Sequence, residues 1–408
     1  MQDKQRNRLQ ASGLRLQGEP CHPEVLRGVR PAVATSRPTA YCVLPTRSAF
    51  TLTELLIVIA IIAVLAGLIA AAAVNAMRAA NRGRITLEIK NISGALENFK
   101  NDFGAYPPNG MNPNPVATPG AGSPAALVQS DFSRMFKKAF PRHNEPATLI
   151  SALCGQYTTA PANGNLLKGL TAAESLYFWL GGFSSDEQYP LSGDGGPSFA
   201  DVSGDNDGTL EGSDEILENR NRRYEFDIER LAPRNDDGLF DDASGRFVVY
   251  EIDLNGNGSV TDPGEERRIN LWRYNPSGSE QPLVYFDTSR YKPAQYDLWA
   301  ADPTSAGGAP YIFAMKQLRS GGTTPTNLTQ YQSNVVFVDQ GKFQILHPGL
   351  DDAWGGEFAR MSLMQGGWGK ADFSSKPLVL YPDGPFIGEI GDTLTSFTDG
   401  TLEDAVEE

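Results

Sequence analysis

The hydrophobic pattern of the chain passes through three regimes. Residues 55–74 form an unbroken run of twenty uncharged residues dominated by Leu, Ile, Val and Ala. At 1.5 Å per helical residue the run spans about 30 Å, the thickness of a bilayer's hydrocarbon layer. From Arg82 the pattern turns amphipathic. Ile85, Ile89, Ile92, Leu96, Phe99 and Phe103 fall at spacings of 4, 3, 4, 3 and 4, while Arg84, Glu88, Lys90, Asn91, Glu97, Lys100 and Asn101 fill the other face. Gly104 and the pair Pro107-Pro108 end the stripe. The spacing predicts one helix over residues 50–103, 54 residues long and about 80 Å in length. Its first half meets lipid or other helices and its second half covers a soluble domain.

Beyond the helix, residues 113–123 are rich in Pro, Gly and Asn and read as a loop. Helices are expected over 131–140, 146–154 and 171–180, the last with Thr171 as N-cap, Glu174 at the third helical position and Gly181 as stop. Strands are expected over 247–252, 269–274, 283–286, 311–314, 335–338 and 343–346, the last two as a hairpin around Asp339-Gln-Gly-Lys. One long helix followed mostly by strands argues for an α+β fold.

Charge divides the chain at the same place. Residues 1–49 hold eight basic and three acidic residues, a local +5, which leaves −19 on the remainder of a chain of 408 residues and net charge −14. Basic residues before an apolar span and an acidic bulk after it put the N-terminus in the cytoplasm and the bulk outside. The overall acidity excludes a nucleic-acid grip built on a broad basic surface. The 40 % hydrophobic content supports a real core, and three Cys exclude a disulfide framework. The apolar run is too long for an ordinary secretory signal. Its head carries a carboxylate, Glu54, where an uncompensated mid-bilayer charge costs about 2.5–3.5 kcal/mol, so a partner is expected.

The stretch Ala49, Phe50, Thr51, Leu52, Thr53, Glu54, ahead of about twenty apolar residues, resembles the type IV prepilin signal shared by type IV pilins and the pseudopilins of type II secretion. The resemblance implies that a membrane prepilin peptidase cuts between Ala49 and Phe50 and methylates the new amino group of Phe50. Glu54 would then neutralise the Phe50 ammonium of a neighbouring subunit and set the register of a helical filament. The family normally has Gly where Ala49 stands, and its leaders are shorter than 49 residues; an early start codon is the expected reason. The resemblance implies a pilin-like α+β fold with the amphipathic stripe packed on an antiparallel sheet. The expected organisation is a basic leader (1–49), a transmembrane and assembly helix (50–74), its amphipathic half (75–104) and an exported acidic domain with inserted Asp/Asn/Gly loops (105–408). The implied partners are identical or related pilin-like subunits, the prepilin peptidase and methyltransferase, an inner-membrane assembly platform and the membrane itself, with no nucleic acid. The implied location is the inner membrane, single-pass, with the C-terminal domain in the periplasm or outside the cell. The segment 171–181 is similar to one that recurs in pseudopilin-like proteins of planctomycete type.

Two acidic loops carry the candidate chemistry of the exported part. Asp253, Asn255, Asn257, Ser259 and Thr261 place oxygen side chains at alternate positions of a calcium-type loop, with Gly258 at the sixth and Val260 at the eighth; the twelfth is Gly264. Such spacing wraps carboxyl and amide oxygens around one hard cation. Ser203, Asp205, Asp207, Thr209, Glu211 and Asp214 repeat the register about 50 residues earlier. The bland alternative for each loop is a solvated turn. A third turn contains Asp351 and Asp352, and major pseudopilins, which it resembles, bind structural calcium in a Gly-rich Asp loop. His143, His347 and Cys154 stand alone, with no HExxH, GxSxG or Cys-His arrangement, so no catalytic role is expected. The expectation is a structural subunit of a type II secretion pseudopilus. Alternatives are a type IV pilus or minor pilin subunit, or a membrane-anchored, calcium-stabilised glycan-binding or enzymatic protein, in which the Trp residues would form a sugar platform.

Overall fold

The apolar run and the amphipathic stripe form one helix, α1 (Leu52–Phe103), in a computed structural model. The structure describes residues 50–110, 123–155, 169–199, 221–232, 247–253, 256–259, 265–293, 299–301, 311–354, 379–386 and 388–407. By internal contacts the chain divides into two units, Met1–Val64 and Leu65–Glu408. The first unit's described part is the opening of α1. In the second, Ile85, Ile89, Ile92, Leu96 and Phe99 are buried in the main core, as their spacing requires. Gly104, at φ +69°, turns the chain out of the helix where a side chain would be strained.

Three short helices follow. α2 (Pro124–Ala139) starts seven residues earlier than expected, because Ser123 caps it by accepting the Ala126 N–H at 3.3 Å and Pro124 fits the first helical position. α3 is Ala147–Leu153 and α4 is Ala172–Leu180. In α4 the expected capping box is present. The Thr171 N–H donates to Glu174 Oε2 at 2.9 Å, and the Glu174 N–H donates to Thr171 Oγ1 at 3.3 Å. Trp179 of α4 is the hub of the core, with the rings of Phe99, Phe132, Phe136, Phe178 and Phe183 at 5.2–6.4 Å and its indole N–H on the Pro108 carbonyl at 3.1 Å.

The strands are short. β1 (Ser198–Phe199), β4 (Glu266–Asn270) and β3 (Phe247–Glu251) form one antiparallel sheet in the order β1-β4-β3. β2 (Leu231–Ala232) pairs with β5 (Arg273–Tyr274), and β7 (Trp299–Ala301) with β8 (Tyr311–Phe313). β6 (Val284–Phe286), β11 (Gln344–His347) and β12 (Leu394–Thr395) form a second three-stranded sheet with β11 central. β9 (Lys316–Leu318) pairs with β10 (Val335–Phe337), which follows α5 (Leu328–Asn334). A last turn of helix, α6 (Asp404–Glu407), ends the described chain. One long helix and small antiparallel sheets make an α+β protein, consistent with a pilin-like fold. The stripe meets a mixed surface of helix and strands: Phe99 packs on Trp179 of α4, and Ile85, Ile89, Ile92 and Leu96 share one core with Ile269 of β4, Tyr274 of β5 and Tyr285 of β6.

The hairpin expected around Asp339 does not form, since β10 and β11 belong to different sheets. The turn, with Asp339 at φ +50° and Gly341 at φ +96°, is held instead by Thr288, whose hydroxyl donates to the Asp339 carbonyl at 3.0 Å. Buried Gln344 then ties the two sheets together. It accepts the Met315 N–H at 2.7 Å and donates to the carbonyls of Met315 and Val338 at 2.9 and 2.8 Å.

Candidate processing and assembly site

α1 opens with a second capping box. Thr51 is the N-cap: its N–H and hydroxyl donate to Glu54 Oε2 at 2.9 and 3.0 Å, and the Glu54 N–H donates to Thr51 Oγ1 at 3.2 Å. The local sequence is sufficient for this, because Thr followed three residues later by Glu satisfies two donors that a helix start leaves open. Phe50 stands in front of the cap, 83 % exposed. Behind it, Leu55, Ile57, Ile61, Leu65, Ile69 and Val74 are all exposed, an apolar surface that no described residue covers. Among the described residues α1 is the one helix long and apolar enough to cross a membrane. Ala49 lies outside the described residues.

The acidic loops are placed in part. Asp253 follows β3, and its carboxylate accepts the N–H groups of Gly256, Asn257 and Gly258 at 2.7, 3.2 and 2.9 Å, so the loop curls around it. Gly256 and Gly258 have φ of +72° and +81°, conformations that make this turn tight. The Asn257 side-chain oxygen accepts the Ser259 N–H at 2.7 Å. Carboxylate, amide and hydroxyl oxygens in one tight turn are the donor set of a hard cation. Among the described residues no three His, Cys, Asp or Glu side chains come together, so a cation here would lean on amide, hydroxyl and carbonyl oxygens beside Asp253. Asn255, Thr261 and the whole earlier loop (Ser203, Asp205, Asp207, Thr209, Glu211 and Asp214) lie outside the described residues.

The turn after β11 separates its two carboxylates. Asp351 accepts the Ala353 N–H at 3.1 Å; burial, with Asp392 and Glu389 nearby, raises its pKa. Asp352, at φ +53°, accepts the hydroxyl of Ser279 and the Glu280 N–H. Ser279 also contacts fully buried His347, at 2.8 Å from Nε2, an arrangement that the sequence, with these residues about 70 apart, does not reveal. The orientation is not that of a nucleophile and its base. His347 Nδ1 accepts the Gly349 N–H at 3.1 Å, so Nε2 carries the proton, donates to Ser279 and leaves the hydroxyl to donate to Asp352. Burial depresses the His347 pKa to about 4, which keeps the imidazole neutral. Trp179, Trp272 and Trp354 are core residues, and Cys154 is fully buried.

A capped carboxylate and an exposed aromatic residue thus stand at the head of an apolar helix long enough to cross a membrane. Residues 44–70 match the family model of the prokaryotic N-terminal methylation motif, which covers Ala49, Phe50, Glu54 and most of the apolar run. The match takes in 27 of the 408 residues. Comparison with curated proteins and with solved structures gives no match.

Proposed function

We propose that the chain is a structural subunit of a type IV pilin-like filament, a pseudopilin of type II secretion whose assembly from the membrane drives protein export. The observation that carries this reading is the methylation motif lying at the head of a helix whose apolar side chains stand exposed. In this reading a prepilin peptidase cuts after Ala49 and the Phe50 amino group is methylated. The helix then leaves lipid for the helices of neighbouring subunits at an inner-membrane assembly platform. A carboxylate is costly in an apolar surrounding unless paired, and the ammonium at Phe50 of the next subunit supplies the pair for Glu54. The charge step from +5 to −19 across the span supports an exported C-terminal domain. That domain is structural and not catalytic, and the Asp253 loop binds calcium as a clamp on the strand that enters it.

Mass spectrometry of the chain purified from cells that express a prepilin peptidase tests the reading. N-methyl-Phe50 as the mature N-terminus is expected. An unmodified Met1, or a cut after the small residues at 70–73, would overturn it.

A further inference from the structure

Four Asn-Gly steps occur in the chain, at 109–110, 163–164, 255–256 and 257–258, and the structure describes both residues of the first and the last. At such a step the glycine nitrogen can attack the amide carbon of the preceding side chain, because no Cβ stands in the way. The two described steps have opposite settings. Asn109 is 2 % exposed; its amide donates to the Tyr285 carbonyl at 2.7 Å and its oxygen accepts the Asp287 N–H at 2.8 Å. A Cβ on Gly110 would stand 2.6 Å from the Leu153 carbonyl oxygen, so the backbone there has no room to rearrange. Asn257 and Gly258 are exposed, and nothing lies within 4 Å of where a Gly258 Cβ would stand. The Gly258 N–H donates to Asp253 Oδ2 at 2.9 Å, and the Asn257 side-chain oxygen accepts the Ser259 N–H at 2.7 Å.

Those two bonds have the roles of an acyl-transfer site. In a sheet or helix a backbone N–H is held by a carbonyl, which cannot take its proton; the acceptor of Gly258 is a carboxylate, which can. The Ser259 N–H points at the oxygen on which negative charge develops when the amide carbon is attacked. Asp253 fixes the same turn through Oδ1, which accepts the N–H groups of Gly256 and Asn257 at 2.7 and 3.2 Å, so nucleophile, base and oxyanion donor are held together. We propose that the Asp253 turn is a self-modifying site that deamidates Asn257. The Gly258 nitrogen gives its proton to Asp253 and bonds to Asn257 Cγ. The Cγ–Nδ2 bond then breaks, and the amide nitrogen takes up that proton and leaves as ammonia. Water opens the resulting cyclic imide: addition at Cγ leaves an aspartate at position 257, and addition at the main-chain carbonyl carbon leaves an isoaspartate. In balance, an amide and a water become a carboxylic acid and ammonia, with no oxidant or reductant. The product places a second carboxylate in a turn whose oxygens already form the donor set of a hard cation.

The full-length chain is held at neutral pH in EDTA, so that no cation occupies Asp253, either folded in detergent or unfolded in urea. Samples taken over time are digested, and tandem mass spectrometry reads the mass change of amide to acid, and the loss of ammonia in the imide, at each Asn-Gly step. Burial makes conversion at Asn109 slower in the folded chain than in urea. At Asn257 the order is reversed: conversion in the folded chain is expected to run about tenfold faster than in urea. Asp253→Asn, which keeps an acceptor oxygen but not a base, should bring the folded rate down to the urea rate. A folded rate at position 257 equal to or below the urea rate, or one that Asp253→Asn leaves unchanged, overturns the proposal. The reaction needs neither a filament nor a bound cation, so its failure leaves the pilin-like and calcium readings standing.

Discussion

Replacing Glu88 by Ala is expected to loosen α1 from the domain it covers. The stripe arithmetic puts Glu88 on the polar face, where a substitution should cost within about 0.5 kcal/mol. The structure instead leaves its side chain 15 % exposed and uses both carboxylate oxygens. Oε1 accepts Arg230 Nη1 at 2.7 Å and the Ser277 N–H at 3.2 Å, and Oε2 accepts the Tyr274 hydroxyl at 3.1 Å. Tyr274 is buried, and burial with the Glu88 carboxylate beside it raises its pKa, so the phenol keeps its proton as a donor. One charge-assisted bond contributes about 1.5–3 kcal/mol and each neutral one about 0.5–1.5. Arg230, itself 28 % exposed, retains Asp227 at 3.0 Å, which discounts the ion pair. The net expectation for Glu88→Ala is a loss of about 2–4 kcal/mol, with Glu88→Gln near 1 because an acceptor remains. Urea unfolding of the full chain in detergent, followed by Trp fluorescence, reads both values. A double-mutant cycle with Arg230→Ala should return a coupling of about 1 kcal/mol or more. A loss below about 0.5 kcal/mol for Glu88→Ala, or strict additivity with Arg230→Ala, would refute the reasoning.

Phe99→Ala removes a ring that is 1 % exposed and 5.8 Å from Trp179; a loss of about 3–5 kcal/mol is expected in the same assay, and a loss below about 1 would mean that α1 is not docked on α4. Burial pushes the pKa of Asp287, paired with Arg290 at 2.5 Å, up to about 6 from an ordinary value of 3.8. The fold then binds more protons than the unfolded chain between those values, so this group's contribution to stability falls as pH rises from about 4 to about 6. Relative to Asp287→Asn, the stability of the parent chain should shrink over that window in unfolding titrations; growth instead would reverse the sign. For the metal, EDTA should lower the melting temperature of the chain and Asp253→Ala should abolish the EDTA effect. An unchanged melting curve with no calcium in elemental analysis rejects the clamp.

The features that depend on near neighbours in the chain were readable before any coordinates. The apolar run, the 4-3-4-3-4 stripe, the Thr171–Glu174 capping box and the Phe50–Glu54 motif are decided by residues within a turn or two of one another, and each is a matter of helical period or of open N–H groups at a helix start. α2 was legible only in part, because its start depends on Ser123-Pro124 and not on the apolar positions that begin at 125. Five of the six expected strands were located nearly in place, but the one expected over 269–274 is split between β4 and β5 of different sheets. β1, β2, β7, β9 and β12 were not foreseen, and the pairing was not legible. Segments of two to five residues carry almost no register information, and the partner of β11 is chosen by Gln344, Thr288 and the core, across gaps of about 50 residues.

Sequence by itself determined the helix, its membrane-facing half, the charge step across it and the processing motif, because lipid length, helical period and local capping are one-dimensional constraints. Tertiary structure alone decided that Glu88 is an anchor and not a solvent-facing charge, and that Ser279, His347 and Asp352 meet. It also bound the chain leaving α1 to the strands, with Tyr285 donating to the Pro107 carbonyl at 2.7 Å and Asn109 to the Tyr285 carbonyl at 2.7 Å. Those partners lie some 70 to 190 residues apart, and which buried donor finds which acceptor is settled only when the whole core closes and no polar group can be left without water or a partner.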